Sequence, residues 1–175
     1  MNCIGYHFDK LKPRTPIDFE VVISEAFKDC QHFDKMDEVH KDILIRNPNN
    51  DTFYGDYGKI RIIFKNLICN ALKFKDQKKF FNEVQVKVLI NSKSAIIQVY
   101  DNGVGISKHI CDEIYRIFRS SKKERISKGL GLYIVNDTIK SLDGEIYLAS
   151  DLGIRTIFYI QLPNKTKKEL LRKLP

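Results

Sequence analysis

The chain has 175 residues, 43% of them hydrophobic and 30% charged, with a formal net charge of +8. That length buries one substantial core, while no stretch approaches the ~20 apolar residues of a bilayer-crossing helix and the N-terminus lacks an apolar signal segment. The positive balance points to an anionic partner, whether a nucleotide, a nucleic acid or an acidic protein, and the four cysteines (Cys3, Cys30, Cys69, Cys111) lack CxxC spacing and read as thiols of a reducing compartment, not as a metal site.

Residues 1–16 have no periodicity and contain Pro13 and Pro16, which break helices, so they read as a tether. Asp18 is placed to cap a helix running to Cys30, with Val21, Val22, Ile23, Ala26 and Phe27 on its apolar side. Residues 31–41 read as a polar connection. Asp42–Arg46 reads as a short strand ended by Asn47-Pro48-Asn49-Asn50. Over 56–74, Ile60, Ile63, Phe64, Leu67, Ile68, Ala71 and Leu72 recur at helical spacing on one broad face. Glu83–Ile90 and Ala95–Tyr100 are β-rich and joined by a hairpin at Asn91-Ser92-Lys93-Ser94. A short helical stretch follows at Ile110–Phe118. A further helix opens at Gly129, with Tyr133, Ile134, Val135, Ile139 and Leu142 apolar, and stops at Asp143-Gly144. Glu145–Ala149 and Thr156–Leu162 are the last strands, turned at Asp151-Leu152-Gly153 and closed by Pro163, before a basic tail over 164–175. The order implies an α+β fold, a sheet covered on one face by helices.

Three local patterns carry chemistry. Asn66, Asn70 and Lys73 stand at i, i+4 and i+7, a polar stripe beside the apolar face of one helix. An amide buried there without a partner costs roughly 1–3 kcal/mol, and a metal-bound phosphate would satisfy the stripe. Asp101-x-Gly103-x-Gly105 follows a strand, where glycines admit a flat ligand and a carboxylate accepts from an exocyclic amine such as that of adenine. Gly129-Leu130-Gly131-Leu132 opens a helix whose first-turn amides and dipole favour anions, with Lys122, Lys123, Arg125 and Lys128 just before it. No Walker A loop and no complete Rossmann fingerprint is present.

Taken in order, Asn-x-x-x-Asn-Ala-x-Lys-Phe, Asp-x-Gly-x-Gly, Gly-Leu-Gly-Leu and strands ending in Leu-Pro resemble the catalytic ATP-binding domain of sensor histidine kinases. That domain belongs to the superfamily shared with type II topoisomerase ATPase subunits, the 90-kDa heat-shock chaperones and mismatch-repair ATPases. The resemblance runs from about Ile17 to Pro163. It implies a Bergerat-type two-layer α/β sandwich with a mixed, mostly antiparallel sheet, and ATP and Mg²⁺ as cofactors. It implies Asn70 as the Mg²⁺ ligand and Asn66 as its partner one turn earlier. It implies Lys73 at the phosphates and Phe74 beside the nucleotide. Asp101 would read the adenine amine, with Gly103, Gly105 and Ile106 forming the pocket floor. Residues 107–128 would be a mobile lid carrying Phe118. Lys128, Gly129, Leu130, Gly131 and Leu132 would border the triphosphate, and Thr156 would help Asp101 hold the base.

Asn66 separates two chemistries. Hydrolysing members of the superfamily usually carry a glutamate there as general base; an amide takes no proton, which favours phosphoryl transfer to another group. Asn66 and Lys73 are therefore the candidate catalytic residues. Two positions depart from the pattern: Ser127 stands where the second box expects a glycine, and Arg155 interrupts Gly153-Ile154-Arg155-Thr156. The four histidines, His7, His32, His40 and His109, precede Phe8, Phe33, Lys41 and Ile110, so none is followed by the acid of a phospho-acceptor motif. The resemblance thus implies a catalytic domain that takes its acceptor histidine from a dimerisation domain elsewhere and passes phosphate to a response regulator. It implies a cytosolic setting, on its own or as the cytosolic part of a membrane-bound sensor, with no nucleic acid partner. The alternatives are a serine kinase of the anti-sigma type and a degenerate nucleotide-binding regulatory module; nucleic-acid binding has only the basic runs behind it.

Overall fold

The computed structural model describes residues 14–33, 38–119 and 130–164. Helix α1 (Phe19–Cys30) begins where the Asp18 carboxylate accepts from the Val21 amide at 3.1 Å. It buries Phe19, Val22, Ile23, Ala26, Phe27 and Cys30. Val21, expected on that side, is exposed, because it lies about 100° from the stripe set by Val22, Ala26 and Cys30. Helix α2 (Tyr57–Lys73) is capped by Asp56, whose carboxylate accepts from the Lys59 amide at 3.1 Å. All seven apolar positions anticipated on α2 are buried. Asp56→Ala is expected to cost about 1 kcal/mol of stability, read as a lower urea midpoint with an unchanged slope.

Five strands form the main sheet: β2 (Val39–Arg46), β4 (Asn82–Ile90), β5 (Ser94–Asp101), β6 (Glu145–Asp151) and β7 (Arg155–Pro163). Their order is β2-β4-β5-β7-β6, with β2–β4 parallel and the other pairs antiparallel. Strand residues alternate between a buried side and a partly exposed one, as a sheet covered on one face requires. Helix α2 lies between α1 and α4 (Leu130–Ser141), while α3 (Lys108–Arg119) packs on α4 and the β6 edge. Helix α4 ends with Asp143 at φ 57° and the Gly144 amide bonded to the Ile139 carbonyl at 2.9 Å, a left-handed stop of the expected kind. Ile134, anticipated among its apolar positions, is exposed, and Asn136 is buried instead.

Four further sequence expectations are corrected. Strand β2 starts at Val39 instead of Asp42, because Val39, His40 and Lys41 pair with Asn82, Glu83 and Val84. Thr15 and Pro16, assigned to the tether, form β1 and pair with β3 (Tyr54–Gly55). Asn164, assigned to the tail, is buried: its side chain accepts from the Tyr54 amide at 3.0 Å and donates to the Thr52 carbonyl at 2.9 Å. Finally, Cys30 and Cys69 are not free thiols but a disulfide, because the end of α1 packs on α2 and brings their Cα atoms to 5.1 Å. Cys111 is free and buried, and Cys3 lies outside the described residues. The α1–α2 contact also carries Tyr57 Oη donating to Glu25 at 2.6 Å and Arg61 paired with Asp29 at 2.9 Å.

Candidate functional site

A cavity of about 1320 Å³ opens between the end of α2, the loop after β5, helix α3 and the start of α4. Its lining includes Asn70, Lys73, Phe74, Asp101, Gly105, Ile106, Leu130, Gly131, Leu132 and Thr156. Ten of the anticipated site residues, drawn from four separated segments, thus meet at one place. Three others do not line it. Gly103 lies behind Asp101, Asn66 lies behind Gly131, and Phe118 is buried in the core. Lys128, Gly129 and Ser127 are outside the described residues.

The loop after β5 is built by close backbone approach. A Cβ on Gly103 would come within 2.3 Å of the Phe74 carbonyl oxygen. Gly105 has φ +65°, and a Cβ there would stand 2.2 Å from the Asp151 carbonyl oxygen. The Val104 amide donates to Phe74 O at 3.0 Å, and the Gly153 amide donates to Val104 O at 2.7 Å. These contacts tie the end of α2, the glycine loop and the β6–β7 turn together.

Asp101 is 8% exposed. Desolvation pushes its carboxyl up to about 6, against the opposing pull of the Gly103 amide and the Lys79 ammonium. The Gly103 amide donates to Asp101 Oδ1 at 2.9 Å. Asp101 pairs across the strands with Thr156, which is also buried, and the Thr156 hydroxyl lies 3.1 Å from Ser150 Oγ. Arg155, the departure from the final box, does not enter the cavity: its Nε pairs with Asp151 Oδ2 at 2.9 Å on the exposed side.

On α2, Asn66 Nδ2 donates back to the Ile62 carbonyl at 2.8 Å. That leaves Oδ1 facing α4, where a Cβ on Gly131 would meet it at 3.0 Å. Asn70 and Lys73 line the cavity itself, and the Lys73 ammonium sits 5.3 Å from the Phe74 ring centroid. Among the described residues no three His, Cys, Asp or Glu side chains gather into a metal-binding group. Asn70 is a hard oxygen donor, so the residues fit a cation that draws most of its shell from phosphate and water, as Mg²⁺ does.

The sequence reading missed the wall supplied by α3. Ile110, Glu113, Ile114 and Ile117 line the cavity at i, i+3, i+4 and i+7, a stripe legible in the helical stretch Ile110–Phe118, which was assigned to a mobile lid and not to the wall. Helix α3 is held from behind by Asn136 Nδ2 donating to the Ile117 carbonyl at 3.1 Å and by Tyr115 Oη donating to the Leu148 carbonyl.

The geometry is that of an ATPase module, and the chain belongs to the histidine kinase-, DNA gyrase B- and HSP90-like ATPase family, whose model matches residues 55–166. Among curated relatives, it is 35% identical over 113 residues to the autoinducer 2 sensor kinase/phosphatase LuxQ of Vibrio cholerae, covering 62% of this chain and 13% of LuxQ. It is 30% identical over 158 residues to the CAI-1 autoinducer sensor kinase/phosphatase CqsS of the same organism, covering 86% of this chain and 22% of CqsS. The chain therefore spans only a minor part of these relatives. Among solved structures, the catalytic domain of histidine kinase ThkA superposes with a TM-score of 0.69 at 16% identity, covering 87% of this chain and 98% of that domain, which shows the shared fold. Among the described residues no helix is long and apolar enough to cross a membrane.

Proposed function

We propose that this chain is the ATP-binding catalytic part of a sensor histidine kinase, which presents the γ-phosphate of ATP to a histidine on a dimerisation domain, for onward passage to a response regulator. The observation that carries this reading is the convergence of Asn70, Lys73, Asp101, Gly105, Gly131 and Thr156 on one cavity. In it, Asp101 accepts from the adenine amine beside Thr156, the glycine loop admits the flat base, and Leu130–Leu132 bring helix-start amides to the phosphates. Lys73 sets a positive charge against the transferring group, whose bond to the β-phosphate oxygen breaks as the bond to the histidine nitrogen forms. Mg²⁺, held by Asn70, would supply charge neutralisation at the phosphates. Asn66 offers no base for water, being an amide already bonded to its own helix, which supports transfer over hydrolysis.

The reading puts the chain in the cytosol, where ATP is supplied. Asn70→Ala is expected to lower phosphotransfer to a histidine hairpin by about 100-fold or more, as loss of a charge-stabilising group does, while circular dichroism is unchanged. Full transfer by that variant, or no heat of binding when the wild type is titrated with millimolar Mg-ATP, would reject the proposal.

A further inference from the structure

Lys79 lies in a run of basic residues that the sequence presents as solvated surface, yet its side chain turns inward. Its ammonium donates to three backbone carbonyls: Asn102 at 2.5 Å, Gly103 at 3.2 Å and Ile154 at 2.9 Å. An ammonium has three hydrogens, so its donor capacity is spent. Two of the acceptors belong to the loop after β5, and the third belongs to the β6–β7 turn. The same loop is held on its other side by Asn102, whose Oδ1 accepts from the Glu83 amide at 2.7 Å and whose Nδ2 donates to the Phe81 carbonyl at 2.9 Å.

We propose that Lys79 is a positioning residue of the nucleotide pocket: it fastens the Asp101–Gly105 loop to the β6–β7 turn and holds a fixed positive charge beside the Asp101 carboxylate. The inference rests on the reading of that cavity as an ATP site. Two independent features make Lys79 suited to the task. Long cationic side chains bonded to carbonyls in a partly dry site make strong, charge-assisted hydrogen bonds. The turn they fix is otherwise joined to the loop through the Gly153 amide, so loss of Lys79 leaves that junction with fewer ties.

Around Asp101, Lys79 comes from the loop after α2 and Tyr100 from β5, while Lys73 of α2 and Glu113 and Arg116 of α3 line the same cavity. Glu83 of β4 and Arg155 of β7 act on Tyr100, and Arg155 is paired with Asp151. Of these, Lys79 is the one whose charge opposes the effect of burial on Asp101. Removing it moves the Asp101 titration upward, toward the pH at which a carboxylate is needed to accept from adenine.

The experiment uses nucleotide-free full chain and compares the wild type with Lys79→Met, Lys79→Gln and Lys79→Arg. The Asp101 carboxyl is titrated by carbon-13 NMR, and amide exchange is followed at Val104 and Gly153. The expected result is a midpoint raised by about one pH unit in Lys79→Met and Lys79→Gln, as loss of a nearby opposite charge produces. Lys79→Arg keeps the wild-type midpoint, because it keeps the charge. Exchange at Gly153 accelerates at least tenfold in the two neutral variants. Affinity for a fluorescent ATP analogue at pH 7 falls by about tenfold in those variants, read with the folded fraction fixed by circular dichroism. A wild-type midpoint and wild-type exchange in whichever neutral variant folds would overturn the inference. Absence of nucleotide binding by the wild type would instead overturn the reading of the cavity, while the titration and exchange would still decide what Lys79 does.

Discussion

Asp101→Asn is expected to weaken adenine-nucleotide binding roughly 100-fold while making the nucleotide-free protein more stable at neutral pH. The carboxyl titrates near 6 in the fold, against an ordinary value of 3.8, because burial penalises its charged form. The native state therefore holds the Asp101 proton more tightly than the unfolded chain does. Stability falls as pH rises from about 4 to 6, and the whole deficit persists above 6. At 1.36 kcal/mol per pH unit, that deficit is on the order of 3 kcal/mol. An asparagine carries no charge to desolvate, and its amide oxygen still accepts from the Gly103 amide. Urea unfolding at pH 7.5 should thus show a higher midpoint for the variant, and at pH 4 the difference should vanish. Binding should move the other way. Losing a charged acceptor against the adenine amine removes ~2–3 kcal/mol, or roughly 100-fold in affinity. For the wild type, affinity should weaken as pH falls through 6. A variant that is less stable than the wild type at pH 7.5, or that binds ATP normally, would show that Asp101 is not a desolvated carboxylate kept for the base.

Gly105→Ala is expected to cost on the order of 3 kcal/mol and to empty the site. A left-handed backbone costs an L-residue roughly 1–2 kcal/mol, and overpacking of this kind adds typically 1–3 kcal/mol more. At Gly105 the added carbon meets the Asp151 carbonyl oxygen at 2.2 Å, so either the β6–β7 turn or the loop must move. Gly153→Ala is the control: φ is +77° there too, but nothing lies within 4 Å of the added carbon. It should lose only the backbone share, about 1–2 kcal/mol, and keep most nucleotide affinity. Equal losses in the two variants, measured by urea midpoints and ATP titration, would mean that close approach at Gly105 is not what shapes the pocket.

What was legible in the sequence was what one element determines by itself. The apolar stripe of α2 needs no partner to be read, and all seven of its residues are buried. The order of the glycine loop, the helix start at Leu130 and the strand end at Thr156 is likewise a linear feature, and the cavity unites them. What was not legible depends on which segments meet. Val39 begins a strand because Asn82 lies beside it. Thr15 and Pro16 are a strand only because Tyr54 and Gly55 offer an edge. Lys79 looked like one charge among many, and only the approach of two turns gives its ammonium three carbonyls. The same holds for Cys30 and Cys69, which lie 39 positions apart in sequence.

The place of Asn164 bears on how the molecule is made. Its side chain closes contacts to Thr52 and Tyr54, more than a hundred positions earlier, and its amide donates to the Lys93 carbonyl. Strand β7, which precedes it, occupies an interior position in the sheet, between β5 and β6. A ribosome delivering this sheet from its N-terminal side therefore releases the interior strand after the other four strands. Until then, β5 has one open edge, and helices α1 and α2 lie over an incomplete sheet. The nascent domain passes its synthesis, at ~5–20 residues per second, with an unpaired strand exposed, and the pocket floor beside Asp101 becomes whole only when Thr156 arrives.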